Sequence, residues 1–150
     1  VTENPVRACD DIIRHHSKSF SLASRLLPRD VRERAVVVYA WCRRADDAID
    51  LAGEGNAGAA LERLRRELDE IDSGRALADP VLAAFGTVVR DCGIPRAYAD
   101  DLLDGMAMDV AGTRYDDLPT LLRYCYCVAG TVGLMMCHVM GVSDERATRR

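Results

Sequence analysis

The chain has 150 residues, a net charge of −4, and 49% hydrophobic residues of which few are aromatic. That length and make-up fit one domain with an aliphatic core, and an acidic balance without a long basic run argues against nucleic acid as a partner. Six cysteines (Cys9, Cys42, Cys92, Cys125, Cys127, Cys137) form no CxxC pair and follow no secretory segment, which predicts reduced, mostly buried thiols in a cytoplasmic protein.

Nearly every segment favours helix. Residues 6–14 read as a first helix, 15–20 as a polar joint, and 21–27 as a short helical piece ended by Pro28. Asp30 is placed to cap a helix over 31–51. Residues 53–58 are a small-residue loop, and 59–71 form an amphipathic helix with Leu61, Leu64, Leu68 and Ile71 at helical spacing. Asp79-Pro80 opens another helix, which stops at Cys92-Gly93. Pro95 opens the next, through about Val110, and Leu118-Pro119 begins a long apolar helix to about Met140. With no alternating strand pattern and no repeat, all-α is the consistent class. No run is apolar and long enough to span a bilayer. The most apolar stretch, 128–142, contains Gly130, Gly133 and His138 and reads as a buried core helix. The start at Val1 and the helix-like opening at 144–150 predict a chain trimmed at both ends.

Three segments carry chemistry. In the first, 39–50, a helix places Tyr39, Arg43, Asp46 and Asp50 within an arc of about 60°. Such a stripe holds hard divalent cations through its carboxylates and a phosphate through Arg43, or it is simply a solvated charged face. In the second, 15–20, His15-His16-Ser17-Lys18-Ser19-Phe20 gathers imidazoles, hydroxyls and the chain's only lysine beside a helix start. That suits a diphosphate, and equally a helix cap. In the third, 124–133, Tyr124 and Val128 share a face, while Gly130 and Gly133 allow close helix packing or leave room for a ligand tail. Cys125 and Cys127 point to different faces and are not read as a metal site.

HHSKSF, YAWCRRADDAID, GMAMDVAGTRY and YCYCVAGTVG, in that order, resemble the squalene/phytoene synthases over about residues 9–141, most of all bacterial phytoene synthases. The resemblance implies the all-helical isoprenoid synthase fold and a head-to-head prenyl transferase. Two prenyl diphosphates, here two geranylgeranyl diphosphates, would join through a cyclopropylcarbinyl diphosphate to give phytoene. Asp46 and Asp50 match the first aspartate-rich motif and would bind Mg²⁺, with Mn²⁺ as an alternative. Arg43 and Tyr39 match diphosphate-contacting positions, and His16, Ser17, Lys18 and Ser19 match the flap that closes over the diphosphate. Tyr124 resembles a catalytic tyrosine, and Val128 a cavity residue. Asp47 is expected to be a surface or supporting charge. Gly105, Asp109, Arg114 and Tyr115 match the pattern without an assigned role, Asp109 being a candidate ion-pair partner for Arg114.

The family's second aspartate-rich motif has no match before Arg150. The chain therefore reads as the N-terminal portion of a single domain, inactive alone, with its C-terminal half as the missing partner. The alternatives are a squalene, dehydrosqualene or presqualene diphosphate synthase using farnesyl diphosphate, with NADPH needed only for squalene, and a non-catalytic assembly member. A plain helical bundle with a charged stripe would bind metal no differently with Asn at 46 and 50. Amphiphilic substrates suggest a cytoplasmic protein in loose peripheral contact with the inner membrane face, although no amphipathic anchor is evident.

Overall fold

The computed structural model describes residues 5–53 and 55–142, except for the side chains of Pro5, Val6 and His16. The proposed helix opening at 144–150 lies outside the described residues. The order is α1 (Pro5–His16), α2 (Lys18–Ser24), α3 (Arg29–Asp50), α4 (Ala57–Asp72), α5 (Pro80–Cys92), α6 (Arg96–Val110), α7 (Leu118–Cys125), a π-helical turn (Tyr126–Gly130) and α8 (Thr131–Val139). No strand occurs among the described residues.

Local chemistry sets most boundaries. Asp79 caps α5, its Oδ1 accepting from the amides of Val81 and Leu82 at 2.9 and 3.0 Å, with Pro80 following as the first helical residue. Gly93 ends α5 in the left-handed conformation at φ 61°. Asp117 caps α7 through the Thr120 amide at 2.7 Å. Two expected features differ. The joint at 15–20 shrinks to Ser17, whose Oγ accepts from the Phe20 amide at 3.2 Å and starts α2 at once. Asp30 does not cap α3. The N-cap is Pro28, and Asp30 lies in the first turn, where its charge meets the positive end of the helix.

α3 is the hub, packing against α1, α4, α5, α6 and α8. Its buried face carries Ala35, Val36, Val37, Val38, Ala40, Trp41 and Ala45. The Trp41 and Phe85 rings stack in parallel, 4.2 Å between centroids, joining α3 to α5. Burying side chains of this size contributes about 1.5–3 kcal/mol each. Leu61, Leu64, Leu68 and Ile71 are the buried stripe of α4, as their spacing predicts. Arg44 ties three elements together: it meets Glu67 on α4 with two hydrogen bonds (2.7 and 2.9 Å) and Asp79 at 3.0 Å.

The apolar helix of 118–140 departs from expectation in two ways. A π turn interrupts it, and only Cys127, Thr131, Met135 and Val139 are buried, at a four-residue spacing. Starting at Leu118 rather than 128, the continuous helical stretch Leu118–Val139 is long and apolar enough, by length and composition, to cross a membrane. Only 17% of an 18-residue apolar window in it is buried, and Leu118, Leu121, Leu122 and Tyr126 are exposed. The close helix approach attributed to Gly130 and Gly133 falls instead at Gly105 of α6. A Cβ there would sit 2.7 Å from both Cys127 Cβ and Val128 Cγ1, whereas one at Gly133 would touch nothing within 4 Å. All six cysteines are free as expected, but only Cys9 and Cys127 are buried and Cys125 is exposed. Half-covered helix faces leave the other three partly open to solvent.

Candidate active site

A cleft of about 340 Å³ opens between α3, α6 and the α7–π–α8 stretch. α3 contributes Tyr39, Cys42, Arg43 and Asp46; α6 contributes Leu102, Met106 and Asp109; Tyr124, Val128 and Val132 complete it. A larger hollow of about 650 Å³, between the end of α3 and α4, holds Asp47 but no other candidate residue. The smaller cleft, where the candidate groups converge, is the one that matters.

Polarity divides this cleft. Arg43, Asp46, Asp109 and Tyr124 make the polar part, and Leu102, Met106, Val128 and Val132 the apolar part. Arg43 reaches Asp46 at 3.0 Å through Nη1 and Asp47 at 2.6 Å through Nη2. Its buried Nε has no hydrogen-bond partner among the described residues. Asp47 thus braces Arg43 from outside the cleft, consistent with a supporting charge. Asp50 lies one turn beyond Asp46 and is exposed. Burial foremost, then the negative charge of Asp50, holds the Asp46 carboxyl above its ordinary range, and Arg43 partly offsets this.

Asp109 does not pair with Arg114. It accepts a hydrogen bond from the Tyr124 hydroxyl at 3.0 Å, because α7 brings the phenol across the end of α6. Burial and then that bond push the Tyr124 phenol up to about 12. Tyr115 lies against the Tyr124 ring, 4.8 Å between centroids, with its own hydroxyl buried and unpartnered. Burial pushes the Cys42 thiol to about 12, so it lines the cleft as a neutral group. Asp109, Cys42, Leu102, Met106 and Val132 went unassigned by sequence reasoning. Leu102, Met106 and Asp109 recur at i, i+4 and i+7, a stripe that would have marked one face of α6.

Ser17, Lys18 and Ser19 are not in the cleft wall. Ser17 serves as a cap, and Lys18 and Ser19 are exposed. Their link to the site is the Phe20 ring, stacked on Tyr39 with centroids 5.0 Å apart. The His16 side chain lies outside the described residues.

Among the described residues, no group of three or more His, Cys, Asp or Glu converges into a metal site. Asp46 lines the cleft and the exposed Asp50 does not; these two carboxylates, one turn apart, are the residues that could hold a divalent cation whose shell is completed by water and phosphate.

Comparison with known proteins places the chain in a family. The family model for squalene/phytoene synthase matches residues 13–150. A phytoene synthase of Pseudescherichia vulneris is 46% identical over 89% of this chain and 46% of its own length. One of Cereibacter sphaeroides is 43% identical over 95% of this chain and 42% of its own. The chain thus spans under half the length of these relatives. Among solved structures, a dehydrosqualene synthase superposes with a TM-score of 0.81 at 36% identity, covering 90% of this chain and 47% of that one. Squalene synthase HpnC from Alicyclobacillus acidocaldarius superposes at 0.86 with 28% identity, covering 97% and 54%. The all-α architecture is therefore that of the isoprenoid synthases, and the chain belongs to the squalene/phytoene synthase family.

Proposed function

We propose that this chain forms the diphosphate-gripping portion of a head-to-head prenyl transferase that joins two geranylgeranyl diphosphates into phytoene. The polarity of one cleft supports this reading: a charged part with Arg43, Asp46 and Asp109 continues into an apolar part lined by Leu102, Met106, Val128 and Val132. An amphiphile with an anionic head and a hydrocarbon tail matches it.

Ionising an allylic diphosphate puts negative charge on the leaving group and positive charge on carbon. Asp46 and Asp50 would hold Mg²⁺ or Mn²⁺, which when bound neutralises diphosphate charge. Arg43 supplies a fixed cation beside it, with Tyr39 at its side. Tyr124, protonated at neutral pH, acts as an O–H donor rather than a base. The aliphatic wall keeps water from the allylic cation, so that the second substrate's double bond attacks it. His16, Ser17, Lys18 and Ser19 would close over the diphosphate as a flap, linked to the cleft by the Phe20–Tyr39 stack. The second aspartate-rich segment would come from the remainder of the domain. The site of action would be the cytoplasm, at the inner membrane face.

Use of farnesyl diphosphate is the second reading, favoured by the dehydrosqualene and squalene synthase neighbours; NADPH enters only for squalene. Joint retention of Arg43, Asp46 and Asp50 speaks against a non-catalytic assembly role. The test is to give the longer protein geranylgeranyl or farnesyl diphosphate with Mg²⁺ and to measure diphosphate release and hydrocarbon length. A C40 product is expected, and absence of release refutes the reading. Residues 1–150 alone should show no turnover, and product from them would refute the claim that the remainder is required.

A further inference from the structure

We propose that α2 and the turn after it dock on an anionic lipid bilayer, with Leu22 and Leu26 entering the interface and Arg25 and Arg29 meeting the headgroups. Leu22 is 66% and Leu26 89% exposed, the latter the most exposed large apolar residue described. They lie four apart, one in α2 and one in the successive tight turns that follow it (Arg25 N–H to Leu22 C=O, Leu26 N–H to Ala23 C=O), so one short segment carries both. Arg25 and Arg29, their neighbours in sequence, are exposed. Arg25 has no carboxylate partner among the described residues, while Arg29 pairs with Glu33 at 2.9 Å.

Charge complementarity identifies the occupant. Residues 12–29 contain Arg14, Lys18, Arg25 and Arg29 and no acidic residue, in a chain whose net charge is −4. An anionic surface therefore attracts this segment and repels the rest, which fixes the orientation as well as the contact. Long basic side chains around two leucines suit an interface, because their stems lie along hydrocarbon while their charges stay at the headgroups. The opposite side of α2 explains the usefulness of the contact. Phe20 rests on Tyr39, which lines the cleft, so the docked surface adjoins the binding site. That benefit rests on the proposed function, whereas the docking does not.

The test is co-sedimentation of the 150-residue chain with phosphatidylglycerol/phosphatidylcholine vesicles and with pure phosphatidylcholine vesicles, in the absence of substrate. The wild type should bind the anionic vesicles, lose binding at high salt and ignore the neutral ones. Leu22→Ser/Leu26→Ser should weaken binding at least tenfold. Arg25→Gln/Arg29→Gln should weaken it about tenfold, since each basic group near such a surface counts for about a kcal/mol and Arg29 is partly neutralised. All four side chains are exposed, so unchanged melting curves should accompany the loss. Leu118→Ser/Leu122→Ser, on the outer face of α7, should bind as the wild type does. The proposal fails if the wild type ignores anionic vesicles, if only the α7 variant loses binding, or if the α2 leucines instead prove to hold two copies together in sedimentation. Binding by the longer protein that is indifferent to the α2 variants overturns it equally.

Discussion

Gly105→Ala should destabilise the chain although alanine is the better helix former. The new Cβ would lie 2.7 Å from Cys127 Cβ and Val128 Cγ1, and 3.3 Å from the Val128 amide nitrogen. Carbon pairs rest at about 3.5–4.0 Å, so the shortfall is about 1 Å. Cys127 Cβ is fixed to its backbone and has no rotamer of escape, so α6 and the π turn must separate. Overpacking of this severity costs about 3 kcal/mol, and the gain in helix propensity returns about 1, leaving about 2 kcal/mol of net loss. For a chain of this length the melting temperature should fall by roughly 4–8 °C. Gly133→Ala is the matched control. It meets nothing within 4 Å and should raise the melting temperature by roughly 2–4 °C. Thermal and urea unfolding of both variants give the comparison. A Gly105→Ala chain as stable as the wild type would refute the close approach, and with it the placement of Val128 against α6. Because Met106 and Asp109 share that helix with Gly105, the same separation should also weaken ligand binding in the cleft.

Asp79→Ala should cost about 1–2 kcal/mol and roughly 3–6 °C in melting temperature, because it removes both the cap of α5 and one carboxylate held by Arg44, whereas Asp79→Asn keeps a cap acceptor and should cost less than half as much. Asp46→Asn/Asp50→Asn should abolish Mg²⁺-dependent binding of geranylgeranyl diphosphate in equilibrium dialysis; retained Mg²⁺ dependence would leave the stripe as a solvated face. Asp46 also sets a sign in pH: its carboxyl is raised in the folded state, so its favourable contribution is complete below the ordinary carboxylate range and fades as pH rises through its folded value. Chemical unfolding of the wild type against Asp46→Asn across pH 3–7 should therefore show the wild type losing ground as pH rises. The Tyr124 phenol, raised to about 12, contributes stability below about pH 10 that is lost as pH rises through about 12. Asp109→Asn should bring its ultraviolet titration, obtained by difference from Tyr124→Phe, down toward the ordinary tyrosine range.

Helix periodicity and caps made most of the fold legible. Leu61, Leu64, Leu68 and Ile71 face the core because their spacing leaves them no other face to share, and Asp79-Pro80 and Gly93 bound α5 through backbone chemistry that is local to them. Arg43 and Asp46 were legible for the same reason, being on one stripe of one helix. What escaped depends on a second helix. Nothing local distinguishes Gly105 from Gly133; only the backbone of the π turn passing against α6 makes one crowded and the other open. Asp109 was ambiguous because Arg114 follows it closely in sequence, while Tyr124, distant in sequence, is the group that α7 delivers. The outer face of 118–139 looked like core because composition registers apolarity and not which side is covered.

The π turn is the clearest case of local irregularity serving the site. In an uninterrupted α-helix, successive positions four apart drift by about 40°, so Tyr124, Val128 and Val132 would fan across about 80°. A π turn absorbs one extra residue, so the eight steps from Tyr124 to Val132 rotate like about seven, and the net offset falls to about −20°. All three then line the same wall, as observed. Regular helix resumes at once in α8, where the Thr131 hydroxyl donates to the Cys127 carbonyl at 2.6 Å inside the packed interior. The irregularity lies against Gly105 of α6, whose missing side chain leaves space for Cys127 and Val128. Glycine on one helix and an extra residue on the other are thus two halves of one solution, and together they put a phenol and two valines opposite Arg43 and Asp46.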